Sequence, residues 1–167
     1  SKRFKPSDPE GDALAVPIFQ RLADKAAPYG VNVAPYPHVN LWVESPEDTA
    51  RLADKVDRPN FGTSFNLYHW KVLKGGKKRP LKEVAERLAP KLMALAINGD
   101  EGAKIGIGPL EEEDIGEYHA VLSAFRAKGY RGSVGLQCYA IEAPPAVHLR
   151  QSMEVWEKLK ARFTGRD

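Results

Sequence analysis

Leu92-Met-Ala-Leu-Ala-Ile97 is an unbroken apolar run that hands over at once to the polar turn Asn98-Gly-Asp100. A short apolar stretch without alternation, bounded by turn residues, reads as a strand of a parallel sheet covered by helices. The stretches on either side support that reading. Upstream, Pro80 to Leu88 has helical character, and before it Phe61-Gly-Thr-Ser-Phe-Asn66 reads as a strand. Downstream, a helix is predicted over Asp114 to Lys128 with Gly129 as its stop, then the strand Ser133-Val-Gly-Leu-Gln-Cys138, then a helix from about Ala146 to Phe163. Towards the N-terminus, Ser45-Pro-Glu-Asp48 opens a helix that ends near Val56, and Val31-Asn-Val-Ala-Pro-Tyr36 reads as a short strand. An amphipathic stretch starts at Ser7-Asp8-Pro9-Glu10 and runs to Tyr29, where Gly30 stops it and Pro17 predicts a kink or a late start.

Strand starts therefore fall near residues 31, 61, 92 and 133, separated by helices, with one longer insertion before the last. Two architectures share that beat: a small doubly wound sheet, or half of a (β/α)8 barrel. No G-x-G-x-x-G or Walker-type loop follows any of these strands, which counts against nucleotide binding.

The 167 residues, 43% hydrophobic and 28% charged, have the profile of a folded domain, and residues 1–167 are expected to form one. No apolar run approaches a membrane span, and Ser1-Lys-Arg-Phe-Lys5 has no apolar stretch behind it, so neither a membrane partner nor a signal peptide is predicted. Cys138 is the single cysteine, which rules out an intrachain disulfide and a thiolate cluster and fits a reducing, cytoplasmic setting. The net charge of +3 is concentrated in Lys74-Gly-Gly-Lys-Lys-Arg79. A nucleic-acid surface would be more basic and interleaved with aromatics, so no nucleic acid is expected. The basic run reads as a solvated loop, with a phosphate-attracting rim as the alternative.

In parallel α/β folds ligands bind at the carboxyl ends of the strands. Here those ends carry amides and imidazoles in succession: Tyr36-Pro-His38, Asn66-Leu-Tyr-His69-Trp70, Asn98, and Gln137-Cys-Tyr139. Each has a plain reading: Asn66 and Asn98 suit turn caps, His69 a core histidine, His38 a loop brace, and Trp42, Trp70 and Tyr139 core packing. Together they predict one convergent polar pocket. His119 and His148 fall within helices and read as surface or packing residues.

Tyr36-Pro-His38, Phe65-Asn-Leu-Tyr-His-Trp70, Ile97-Asn-Gly99, Gly129-Tyr-Arg-Gly132 and Gly135-Leu-Gln-Cys-Tyr139 together resemble bacterial sugar phosphate isomerase/epimerase proteins of the xylose-isomerase-like barrel superfamily. The resemblance runs from about Ser7 to Leu159. It implies the C-terminal half of a (β/α)8 TIM barrel, with these four parallel strands as the fifth to eighth and the first four upstream of Ser1. A complete barrel of this kind takes about 250 residues.

The resemblance also implies a divalent metal (Mn, Mg or Zn) held by two Glu, an Asp and a His, with the Glu pair moving a proton beside a carbonyl. Carried over, Ala34 stands near the first Glu position, Asn66 at the Asp, Asn98 or its neighbour at the His, and Gln137 at the second Glu; the His three residues beyond the Asp is kept as His69. An amide supplies no charge and cannot act as a base, so no metal ligand is assigned and no cofactor is predicted. A differently held metal would fall to His69, His38 and Asp100, and the same gaps argue against the endonuclease branch.

Three readings follow. The first is an enzyme on a sugar or sugar phosphate, with His69 and His38 catalytic and Tyr36, Asn66, Trp70, Asn98, Gln137 and Tyr139 binding substrate. The second is a non-catalytic carbohydrate-binding barrel, and the third is a fragment whose site is completed elsewhere. A half-barrel leaves two open edges. The expected partners are therefore a small-molecule carbohydrate and either an N-terminal half-barrel or a second copy of the chain. Leu95, Ile97, Val134 and Leu136 are expected on its inward face.

Overall fold

The computed structural model describes residues 3–164. A 3-10 turn at Pro9–Gly11, capped by Asp8, leads into α1 (Asp12–Ala26), which continues through Pro17; a 3-10 turn at Ala27–Tyr29 follows, and Gly30, at φ 66°, stops it. Next come α2 (Pro46–Val56), β1 (Thr63–Asn66), α3 (Leu67–Val72), α4 (Leu81–Leu88) and β2 (Leu92–Ile97). The hairpin β3 (Gly99–Glu101) and β4 (Lys104–Gly108) is followed by α5 (Ile115–Ala127), β5 (Val134–Leu136) and α6 (Pro145–Thr164). Ser45 and Asp48 close a capping box on α2, each side chain accepting from the other's backbone N–H.

The main sheet is parallel, in the order β1-β2-β5. The strand expected at Val31–Tyr36 is reduced to one parallel bridge, Val33 to Phe61. Pro35 and Pro37 have no N–H to give a ladder, so pairing stops where they begin. The row is thus Val33, β1, β2, β5 in chain order. Outside it the helices stand in the same order, α1 against α2, α2 against α4, α4 against α5 and α5 against α6.

The face expectation is corrected. Register places Phe65 beside Leu95 and Leu95 beside Val134, with Ile97 beside Leu136 on the same face. Phe65, Leu95 and Ile97 are buried in the main core with Leu88, Tyr118, Phe125 and Leu159 of the helices, and Val134 and Leu136 pack against it. These residues point to the helices, not inward, because only there is a wall of side chains to meet them. The opposite face carries the alternate residues: Ser64 beside Ala94, and Asn66 beside Ala96 beside Gly135. Ala94 and Gly135 are exposed there.

The hairpin fills the longer insertion after Asn98. Its strands approach so closely that a Cβ on Gly108 would stand 2.3 Å from the Asp100 carbonyl oxygen. Lys71 of α3 pins it, with Nζ 2.6 Å from Asp100 and 2.7 Å from Glu117 of α5.

Candidate functional site at the strand ends

Three side chains from three chain segments meet where the open face reaches the carboxyl ends of the strands. Tyr36 Oη donates to Gln137 Oε1 at 3.2 Å, and Asn66 Nδ2 donates to Tyr36 Oη at 2.9 Å and to Gln137 Oε1 at 3.3 Å. The backbone delivers each of them. Asn66 is the last residue of β1 and caps α3, its Oδ1 accepting the His69 N–H at 3.0 Å. The Gln137 N–H continues the β5–β2 ladder to the Ile97 carbonyl at 2.8 Å. The Tyr36 segment is anchored through Ser64 Oγ, which donates to the Pro35 carbonyl at 2.7 Å. Burial raises the Tyr36 phenol's pKa against the lowering effect of its bond to Gln137, so it keeps its proton.

Beside this trio the rings of His38 and His69 lie 4.1 Å apart, and Tyr36 meets His69 edge-on at 5.4 Å. Their hydrogen bonds assign opposite tautomers. His69 Nδ1 accepts the Val39 N–H at 3.4 Å, which places its proton on Nε2. His38 Nδ1 is 2.8 Å from the Val39 carbonyl oxygen and must donate to it, which leaves a lone pair on Nε2. Burial, and then the neighbouring His38 charge, lower the His69 pKa to about 4, so this ring is neutral near pH 7. The pair therefore offers one acceptor nitrogen and one neutral N–H donor.

The other expected site residues are placed elsewhere. Asn98 is buried in a structural role: Oδ1 accepts the Tyr68 N–H at 3.0 Å, and Nδ2 donates to the Gly99 and Gly106 carbonyls at 2.9 Å each. Trp70 packs towards Phe65, donates to the Arg79 carbonyl at 3.1 Å and lies under Lys78. Tyr139 is 71% exposed, and Asp100 is taken by Lys71. Trp42 donates to the Asp8 carbonyl and packs against the α1–α2 core. His119 stacks on Phe163, and His148 is buried.

Tyr68 and Glu44 are what the sequence reading missed. Tyr68 meets His69 edge-on at 5.0 Å, and with Val39, Asn40, Glu44, Lys74 and Lys77 it helps line a cavity of about 440 Å³ beside the rings. Lys77 pairs with buried Glu44, and Arg79 pairs with Glu83, so two of the four cations of the basic run are paired with carboxylates. A lone Glu and Lys separated by 33 residues leave no local pattern to read.

Among the described residues no group of three or more His, Cys, Asp or Glu is arranged to hold a metal ion. The residue that meets Asn66 and Gln137 is Tyr36 rather than Ala34, and it brings a protonated phenol instead of a carboxylate. The donors present do not fit a dication.

The family described as xylose isomerase-like TIM barrel matches residues 2–159. The chain belongs to that family. No curated protein matches it. Among solved structures it is similar to the IolI protein with a binding zinc atom, at 19% identity and a TM-score of 0.67, over 90% of this chain and 56% of that one. It is similar to D-allulose 3-epimerase from Methylomonas sp. in complex with D-allulose, at 18% identity and a TM-score of 0.65, over 97% of this chain and 57% of that one. A third is an AP endonuclease, family 2, from Brucella melitensis, at 23% identity and a TM-score of 0.61, over 83% and 52%. At these identities the likeness establishes the fold. The chain spans little more than half the length of these relatives. Among the described residues no helix is long and apolar enough to cross a membrane.

Proposed function

We propose that residues 1–167 are a single domain, the C-terminal half of a (β/α)8 barrel, carrying the site of a sugar or sugar phosphate isomerase/epimerase-like enzyme. The opposed tautomers of His38 and His69 carry this reading. A proton moved beside a carbonyl needs a base at the carbon and a donor at the oxygen. His38 Nε2 takes the proton from the carbon, and the neutral His69 Nε2–H holds the oxygen as negative charge grows on it. For isomerisation the same His38 N–H then returns the proton to the neighbouring carbon, while the hydroxyl proton of that carbon passes to the former carbonyl oxygen; epimerisation needs a second donor on the opposite face of the original carbon, which in this reading the N-terminal half-barrel supplies. Tyr36, Asn66 and Gln137 orient hydroxyls, and Lys74, which lines the cavity beside the rings, is the cation left for a sugar phosphate once Lys77 is paired with Glu44.

The outermost helices support a missing wall. On α1, Leu14, Ile18 and Leu22 are 47%, 54% and 48% exposed at a four-residue spacing, and on α6 Leu149 and Met153 are 44% and 53% exposed. Apolar residues on both end helices suit the N-terminal half-barrel, or failing that a second copy of the chain.

The test is proton exchange. Ketohexoses and their phosphates are incubated with the protein in D2O, and deuterium entry beside the carbonyl is followed by NMR. Exchange is expected, with a loss of about 100-fold or more in His38→Asn. Binding without exchange would instead favour the second reading, a non-catalytic carbohydrate-binding barrel, which the wholly neutral Tyr36, Asn66 and Gln137 also suit. Neither binding nor exchange would sink both.

A further inference from the structure

A neutral amide at a ligand position can still offer its carbonyl oxygen to a cation, so the orientation of Asn66 decides what the open face accepts. Its Oδ1 is committed to the His69 N–H and caps α3. The Nδ2 group is thereby turned inward, towards Tyr36 Oη at 2.9 Å and Gln137 Oε1 at 3.3 Å. Reversing the amide would set its NH2 against the His69 N–H, two donors face to face, in a residue only 1% exposed. Gln137 Oε1 is also the acceptor for the Tyr36 hydroxyl. A dication in this place needs several oxygens, preferably charged, and instead meets an NH2, a phenol O–H and one oxygen already accepting twice.

We propose that the α3 cap locks Asn66 with its NH2 group inward, so that this face rejects divalent cations, and that carboxylates at positions 66 and 137 alone are enough to create a cation site. This deepens the function proposed above and rests on it only for the location of the site. Asp caps a helix as well as Asn does, so Asn66→Asp keeps α3 while presenting an inward oxygen. Glu at 137 adds the second charge, and His38 Nε2 offers a lone pair in the same ring cluster.

Calorimetric titration with MnCl2 and thermal melting in its presence test this on the protein and on the Asn66→Asp/Gln137→Glu variant. The unmodified protein is expected to bind no stoichiometric Mn2+ and to melt unchanged. The double variant is expected to take one Mn2+ and to melt about 5–10 °C higher at a hundred-fold excess over its dissociation constant. Stoichiometric Mn2+ in the unmodified protein would overturn the lock, and so would a folded double variant that ignores Mn2+. If the double variant melts without cooperativity, Asn66→Asp alone is titrated, and affinity less than tenfold above the unmodified protein counts against the proposal. Because the readout is cation occupancy, it is independent of whether any sugar exchanges its proton.

Discussion

Phe65 and Asn66 are consecutive in one strand, both are 1% exposed, and they belong to opposite faces of the sheet. Phe65 is buried by the helices, with Phe125 at 4.9 Å and Trp70 at 6.0 Å. Asn66 is buried by polar groups that accept from or donate to it. The same alternation separates Leu95 from Ala96 and Leu136 from Gln137. One face is held by apolar area and tolerates no loss of it; the other is held by hydrogen bonds and small side chains, and leaves room for a ligand. Equal burial therefore hides two kinds of residue, and the faces should answer differently to substitution.

The largest difference is expected at Phe65. Truncation to Ala removes a fully buried ring from the main core and should destabilise the chain by about 3–5 kcal/mol. Urea denaturation gives the value, and a loss below about 1 kcal/mol would mean that the helix face is not the one holding the sheet.

Much of this division was legible in the sequence, and the failures have physical causes. Leu92–Ile97 was readable to the residue because its apolar run is bounded by a turn, and α2 because Ser45 and Asp48 spell a capping box. Gly129, at φ 94°, marks the end of α5 as expected. The first strand was over-read: its apolar residues suit a strand, but Pro35 and Pro37 limit it to a bridge at Val33. The helix α3 was missed because six residues are too few to show a period, although Asn66 with a backbone donor three residues on is a cap signal. The hairpin Gly99–Gly108 is hard to read because its glycines and charged residues carry little strand propensity, which Ile105 and Ile107 alone do not offset. Orientation of the apolar residues was the deeper error. A run such as Leu-Met-Ala-Leu-Ala-Ile has no alternation of polarity, and only its alternation of size, Leu95 and Ile97 against Ala94 and Ala96, tells helix side from open side. At the site, Tyr36, His38, Asn66, His69 and Gln137 meet where their shared place after the strands puts them, whereas Asn98, expected with them, turns to the Tyr68 N–H and the Gly99 and Gly106 carbonyls. The tautomers could not be read, because they depend on one backbone amide and one carbonyl, both of Val39.

The polar face should show itself in pH. Burial, reinforced by the His38 charge, lowers the His69 pKa to about 4, against an ordinary 6.5 that applies once the chain unfolds. Between those values the unfolded chain binds the extra proton, so stability rises with pH across that window. It is complete above about pH 6.5 and is lost as pH falls towards 4, by on the order of 2–3 kcal/mol. Urea midpoints from pH 4.5 to 7.5 measure it, and His69→Gln should flatten the profile. An unmodified protein with a flat profile would place His69 in solvent and dissolve the ring pair.

The smallest effect is expected at Ala94, and it is the one that tests what the open face lacks. Ala94 sits in register with Ser64 on β1, exposed, while its neighbour Leu95 is buried on the other side of the strand. Replacing it with Val adds two methyl groups that meet solvent in the 167-residue chain, and Val suits a strand backbone. Stability of that chain should change by less than about 0.5 kcal/mol. In a longer protein that closes a barrel over this face, the same methyl groups enter a filled interior, and overpacking should cost about 1–3 kcal/mol. Measured in both, the substitution separates a face that is open from one that is merely uncovered in the shorter chain. Equal, small effects in the two proteins would mean that no second wall packs against Ala94, and the half-barrel reading would give way to a self-sufficient sheet with one solvated face.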